Sequence, residues 1–269
     1  MTAISKCFDM VVFDWAGTMV DFGSRAPVLA LVEAFAALGV SVDEAEARRD
    51  MGRAKADHVR AMFEQPRIAA AWRSAQGEEP DQGAVDRIMA ALQAPMIRLA
   101  AETAQLTPGA AETADYLRGQ GLKIASCTGY TRDMMAAILG RAAEQGYVPD
   151  LVVCAHETPE GRPSPLMIYK ACADLGVWPL SRVVKVDDAE VGVAEGRNAG
   201  CFTVGLAASG NMVGLTAEAL AALDPAARTR LVADAGARLR DAGADLVIDT
   251  VADLIPALQA EVARRWSRV

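Results

Sequence analysis

The chain has 269 residues, 52% of them apolar, and a formal net charge of −8. That length suits one core carrying a modest insertion, and the apolar share supports a buried interior and argues against disorder. No dense Lys/Arg stripe occurs and only 5% of residues are aromatic, so the electrostatic footprint of a nucleic-acid binder is missing and small molecules are the expected partners. The first residues, 1–6, run straight into an apolar segment without a charged-then-apolar leader, and no apolar run reaches the length of a membrane span. A cytoplasmic protein with no membrane contact is expected.

Strand-like runs fall at 10–14, 123–127, 151–154, 183–186, 201–205 and 246–248. Between them, 110–118, 132–145, 165–175 and 193–198 carry apolar residues at three- and four-residue spacing, which predicts helices. The alternation reads as an α/β doubly wound parallel sheet. The interval from about 24 to 104 is different: it is alanine-rich, helical in pattern, and too long for a simple crossover. It is expected to be an α-helical cap over residues 23–105, hinged near 22–23 and 106–109, on a Rossmann-like core made of 1–22 and 106–269. No G-x-G-x-x-G or Walker-type loop is present.

Five scattered cysteines without a Cys-x-x-Cys argue against a disulfide framework or a thiolate zinc site. With only His58 and His156 as imidazoles, an oxygen-ligated hard cation such as Mg²⁺ is favoured over zinc. Ligands in such sheets bind outside the carboxyl ends of the strands. Asp14 ends the first predicted strand, Thr128-Gly129-Tyr130 and Asp187-Asp188 follow the second and fourth, and Gly161-Arg162-Pro163 lies in the loop beyond the third. Singly these are turn formers, caps and surface charges; in this order they describe a phosphoryl-transfer site. Asp14 is the nucleophile candidate. Thr128 would offer its hydroxyl and backbone N–H to a phosphate oxygen, and Arg162 a forked positive charge. Asp188, Asp14 and the Ala16 carbonyl would complete an oxygen set for Mg²⁺.

Two features stand out. A strand ending in an aspartate at a chain reversal resembles the layout of the haloacid dehalogenase-like phosphotransferases, which implies a second aspartate two residues on to protonate an alcohol leaving group; Ala16 stands there instead and has no proton to give. Lys55, three residues before His58 and on the same helix face, lies inside the insertion. An amine must be neutral to form a Schiff base, and being half neutral near pH 7 requires about 4.6 kcal/mol of differential stabilisation, which burial under a closed cap supplies. A lysine that condenses with an aldehyde lets the adjacent carbon leave as an enamine, so a P–C bond breaks without an acid at Ala16.

Residues 13–18 (Phe-Asp-Trp-Ala-Gly-Thr), 51–60, 128–132, 161–163 and 195–200 resemble the phosphonatase branch, the phosphonoacetaldehyde hydrolases, of the haloacid dehalogenase superfamily. The likeness spans roughly 10–215, and the first two segments together are its specific part. The resemblance implies Asp14 as nucleophile and Lys55 as Schiff-base former. It places Asp14, Ala16 and Asp188 around Mg²⁺, and Thr128, Gly129 and Arg162 on the phosphoryl group. It also implies that His58 and Tyr130 assist proton movement through water, that Met51 and Gly52 line the cap side, and that the protein is a homodimer. One departure is Gly192, which stands where the superfamily often has a second aspartate four residues after the acidic metal ligand. The alternatives are a phosphatase or phosphomutase acting on a small phosphomonoester, against which Ala16 speaks, and a catalytically silent phosphate binder, which Gly192 alone invites. The tail 257–265 with Trp266 and the apolar helix after Ala26 are candidate partner surfaces, the tail being expected to pack on its own core.

Overall fold

A computed structural model describes residues 3–267. Six short apolar segments form the strands: β1 (Met10–Phe13), β2 (Lys123–Cys127), β3 (Leu151–Val153), β4 (Val183–Asp187), β5 (Phe202–Leu206) and β6 (Leu246–Ile248). They pair in parallel in the order β3-β2-β1-β4-β5-β6. Side chains alternate across β1: Met10 and Val12 join one buried cluster, Val11 and Phe13 another. Both faces are covered, as a parallel sheet requires.

Five helices lie between β1 and β2: α1 (Ala26–Ala37), α2 (Glu44–Arg48), α3 (Lys55–Phe63), α4 (Pro66–Gln76) and α5 (Gln82–Thr103). No strand occurs in that stretch, as the sequence implies. Its two ends run side by side: Asp21 N donates to Gln105 O at 3.1 Å and Thr107 N to Met19 O at 2.9 Å. The remaining helices are α6 (Ala110–Gly119), α7 (Arg132–Glu144), α8 (Leu166–Leu175), α9 (Glu190–Ala199), α10 (Ala217–Ala221), α11 (Pro225–Asp241) and α12 (Leu254–Trp266). Met167, Ile168 and Ala171 of α8 pack on the Met10/Val12 face. Leu254, Leu258 and Val262 of α12 are buried with the Val11/Phe13 cluster, each such side chain contributing about 1.5–3 kcal/mol.

The predicted elements hold with ends shifted by a residue or so, and with two differences. Helix α9 begins at Glu190, three residues before the predicted start. The pair α10 and α11 has no counterpart in the predicted elements. Helix α11 buries only Ala235, Gly236 and Leu239, so its apolar stripe is too thin to register as periodicity. Its start was nonetheless written locally: Asp224 accepts hydrogen bonds from Ala226 N and Ala227 N, with Pro225 in the first turn. The tail packs on its own core as expected. The apolar residues Val28, Leu31, Ala34 and Phe35 of α1 are also buried, with α1 lying along α5. All five cysteines are free thiols, and no helix of the described residues is long and apolar enough to cross a membrane.

Candidate active site

The chain runs from β1 outward to β2 and β3, then returns to β4 on the other side of β1. The crevice between β1 and β4 is therefore the switch point at which such sheets take ligands. Phe13 pairs with Val186, so the next residues, Asp14 and Asp187, emerge together at the carboxyl edge. Asp188 follows one step on. Carboxylate oxygens of Asp14, Asp187 and Asp188 lie within 4.8 Å of one another.

Two glycines make room for these acids. At Gly17 a Cβ would stand 2.3 Å from Asp188 Oδ2, and φ there is +85°. At Gly192 a Cβ would stand 2.0 Å from Asp187 Oδ2. While the Asp187 carboxylate stands there, position 192, where the resemblance leads one to expect an acid, has no room for a side chain. A Gly192→Ala variant is expected to lose about 1–3 kcal/mol of stability by overpacking, roughly 2–10 °C in Tm for a chain of this size. Thermal denaturation checks this; an unchanged Tm would mean that Asp187 moves aside freely.

A buried ion network surrounds the acids. Arg162 Nη2 lies 2.8 Å from Asp14 Oδ1 and 3.4 Å from Asp187 Oδ2, and its Nε donates to Glu195 Oε2 at 3.0 Å. Lys185 Nζ stands 2.9 Å from Asp187 Oδ2 and 3.3 Å from Glu195 Oε2. Burial works against both cations, but the surrounding carboxylates outweigh it and hold them above their usual range. Burial pushes Asp187 up, yet Arg162 and Lys185 keep it below the usual carboxylate range. Asp14 is raised by burial to about 6, with Arg162 opposing and Asp187 adding. Asp188 goes well above its usual value, through burial first and then Asp14 and Asp187.

Four buried carboxylates therefore face two fixed cations, and the unbalanced charge sits on Asp14 and Asp188. A divalent cation fits that imbalance, with oxygen-only ligands at hand. The Ala16 carbonyl is available too, since it accepts no hydrogen bond from the described residues.

Opposite the acids, the loop joining α2 to α3 presents Met51, Gly52 and Arg53, and α3 opens with Lys55. These residues share one cavity with Asp14, Ala16, Ser24, Pro27, Thr128, Gly129, Tyr130, Arg162, Asp188 and Ala189. Lys55 is 3% exposed. Its Nζ lies 3.8 Å from Met51 Sδ and 5.4 Å from the centre of the Tyr130 ring. Burial lowers the ammonium to about 8; Asp14 opposes the fall and Arg162 adds to it. About a tenth of the amine is then neutral at pH 7, less than the half anticipated from the sequence, because Asp14 still favours the charged form. A wider, open groove shares Gly52, Thr128, Gly129 and Arg162 with the cavity.

Two assignments change. The Thr128 backbone N–H is already given to Val153 O at 3.0 Å, so it is not free for a phosphate. The Thr128 hydroxyl accepts from Tyr130 N at 3.1 Å and keeps its own proton. The Gly129 amide, with no hydrogen bond among the described residues, is the backbone donor left. His58 does not line the cavity. Its Nε2 bonds Ala47 O at 2.9 Å, which makes Nε2 the protonated nitrogen, and burial, then Lys55, pull its pKa to about 3. It is neutral beside Lys55 and has no imidazolium proton to pass. Tyr130 is raised well above its usual value by burial and the nearby acids, and stays a phenol.

Lys185 and Glu195 carry much of this network, and no motif or spacing in the sequence marks either as a site residue. One signal was available: a lysine centred in Val-Val-Lys-Val-Asp of a doubly covered strand has nowhere to send its charge except to buried acids.

An acid on the central strand, facing an acidic pair across the switch point, under helices inserted between the first two strands, is the arrangement of a haloacid dehalogenase-like hydrolase. The model of that hydrolase family matches residues 8–200. The phosphonoacetaldehyde hydrolase of Paraburkholderia phytofirmans is 45% identical over 257 residues, spanning 94% of this chain and 96% of its own. That of Nitratidesulfovibrio vulgaris is 43% identical, over 94% of this chain and 92% of its own. A crystal structure of a phosphonoacetaldehyde hydrolase-like protein from Oleispira antarctica superposes with a TM-score of 0.94 at 41% identity, over 97% of this chain and 96% of that one. The chain belongs to the phosphonoacetaldehyde hydrolase family.

Proposed function

We infer that this chain hydrolyses the P–C bond of phosphonoacetaldehyde, giving acetaldehyde and phosphate. The observation that carries the reading is the pairing of Ala16 with a buried Lys55 at one cavity. The acid needed for an alcohol leaving group is missing, and an amine able to make a carbon leaving group stands in the same space. A phosphomonoesterase reading has no comparable support.

In the proposed sequence neutral Lys55 Nζ attacks the aldehyde carbon and, with loss of water, forms a protonated imine. An Asp14 carboxylate oxygen then attacks phosphorus in line. The P–C electron pair moves into the imine to give an enamine, and Asp14 becomes an aspartyl phosphate. Protonation of the enamine carbon and hydrolysis of the resulting imine release acetaldehyde and restore Lys55. Water attacks the aspartyl phosphate and releases phosphate. The Thr128 hydroxyl, the Gly129 amide and Arg162 Nη1, which has no partner among the described residues, are assigned to the phosphonate oxygens. Met51 and Gly52 shape the cap side of the cavity.

A divalent cation, taken as Mg²⁺, is assigned to Asp14, Asp188 and the Ala16 carbonyl, with Asp187 behind them; it would offset repulsion between carboxylate and phosphonate. Tyr130 is assigned to water-mediated proton movement, with His58 reduced to orienting Lys55 from behind. Residues 23–105 are taken as a cap domain closing on a core of 1–22 and 106–269. The setting is taken as cytoplasmic, and the protein as a homodimer acting on a small-molecule phosphonate without nucleic acid or membrane.

The test is acetaldehyde release from phosphonoacetaldehyde, read through a coupled reductase. Release that stops on chelation and returns with Mg²⁺ supports the reading; no release from folded protein overturns it. The Lys55 titration adds a second expectation. The reactive amine is the deprotonated form, so kcat/KM should rise about tenfold per pH unit below about 8 and level off above about 8, where burial sets the Lys55 pKa. A pH profile that is flat from 6 to 9 (roughly the span flanking that value) would remove Lys55 from the rate.

A further inference from the structure

The seam between the helical insertion and the sheet is closed by a contact that the proposed reaction does not use. Arg48 ends α2, and the six-residue loop after it leads to Lys55. Its side chain is 14% exposed and is bound mostly by neutral carbonyls. Nη1 donates to Gly23 O at 2.9 Å, Ser24 O at 3.3 Å and Asn211 Oδ1 at 3.2 Å, and Nη2 to Gly214 O at 3.2 Å. Glu44 Oε2, at 3.5 Å, is a more distant partner. Only a planar fork of several donors serves acceptors spread this way.

Asn211 answers from the core. Its Nδ2 donates back to Arg48 O at 3.2 Å, and its backbone N donates to Asp188 Oδ2 at 2.7 Å. Two residues earlier, Ser209 Oγ donates to Gly17 O at 2.7 Å and Ser209 O accepts from Gly23 N at 2.7 Å. One short loop after β5 thus touches the turn behind Asp14, the first linker, Asp188 and the insertion.

We propose that Arg48 and Asn211 are positioning residues that latch the helical insertion shut over Asp14, and so set the fraction of time Lys55 spends in the cavity. The latch is tied through the Asn211 backbone to Asp188, so closure and occupation of the acidic site favour each other. The inference deepens the proposed function, resting on its closing cap and metal site.

The chain has five lysines, and they make the test self-controlled. Acetylation of each lysine is followed by mass spectrometry without substrate. Lys123 is exposed, Lys170 is a half-exposed partner of Asp174, and Lys185 is fully buried in the sheet. In Arg48→Met, Lys55 should be modified roughly tenfold faster, in line with ordinary coupling strengths. Lys123 and Lys170 should keep their rates and Lys185 its protection. Asn211→Ala should give a similar gain, and the double variant little more, because both cut one link.

An unchanged Lys55 rate, or a gain shared by Lys185, overturns the latch whatever reaction the protein performs. Fully additive gains overturn the link between the two residues. Calorimetric titration with Mg²⁺ tests the tie to Asp188: about fivefold weaker binding by Asn211→Ala supports it, and equal binding removes it. In turnover both variants should raise KM about tenfold with a smaller change in kcat, since substrate must now supply the closure. Absence of turnover in the unmodified protein would count against the proposed function alone, and the Lys55 rates would still decide the latch.

Discussion

Lys55→Ala is expected to abolish acetaldehyde release, by roughly 10⁴-fold or more, while leaving the protein folded. The side chain lies 3% exposed in the cavity, and burial drags its pKa to about 8. The folded state therefore disfavours the lysine proton. The unfolded chain, near 10.4, binds it more tightly, so the penalty is full below about 8 and disappears as pH rises toward 10.4. At pH 7 it amounts to roughly 3 kcal/mol, which alanine removes at the expense of some packing. The melting temperature should accordingly hold or rise, so lost turnover will not be explained by unfolding. Borohydride added with substrate should trap a covalent adduct on the unmodified protein and none on the variant. Full activity without Lys55, or trapping at another lysine, would end the Schiff-base reading.

Asp14→Asn should lose turnover to a similar extent but fail at a different step. Asp14 is the group that most favours the charged form of Lys55, so its removal leaves the amine more often neutral. Adduct trapping with borohydride should persist or quicken in this variant while phosphate release stops. The amide can still accept from Arg162, which now lies 2.8 Å from Asp14 Oδ1, so the ion network keeps most of its geometry. The two variants together order the events: amine condensation without Asp14, and no P–C cleavage without both. Loss of trapping in Asp14→Asn would mean that Asp14 acts before or during condensation.

Much of this site was legible because its residues sit at positions that topology alone makes special. Asp14, Thr128 and Asp188 follow strand ends, and a parallel sheet brings strand ends to one edge. Ala16 was legible as an absence. Lys55 could be placed because a lysine in an otherwise unremarkable helix answered the chemical question Ala16 raised. The unread parts depend on partners far apart in sequence. That the Thr128 N–H is taken by Val153 O follows from the register of β2 against β3, in which Cys127 pairs with Val153. That His58 turns to Ala47 follows from how α2 and α3 meet. Shared spacing with Lys55 says only that the two side chains lie on one helix face, not which neighbour claims the ring. The bonds of Ser209 and Asn211 join a loop after β5 to residues 23–48 and 188, and no local pattern encodes such a junction.

Gly192 and Asp187 also constrain how this chain can diverge. A side chain at 192 collides with the Asp187 carboxylate, while removing Asp187 first leaves Lys185, buried in the sheet, with Glu195 at 3.3 Å as its remaining ion partner. Either single step is penalised, and only a joint exchange preserves the buried charge. Moving the acid from one address to the other is therefore a fitness valley and not a slope. Descendants of this chain should keep or change residues 187 and 192 as a unit, and a library randomising both should recover active pairs that neither single library contains.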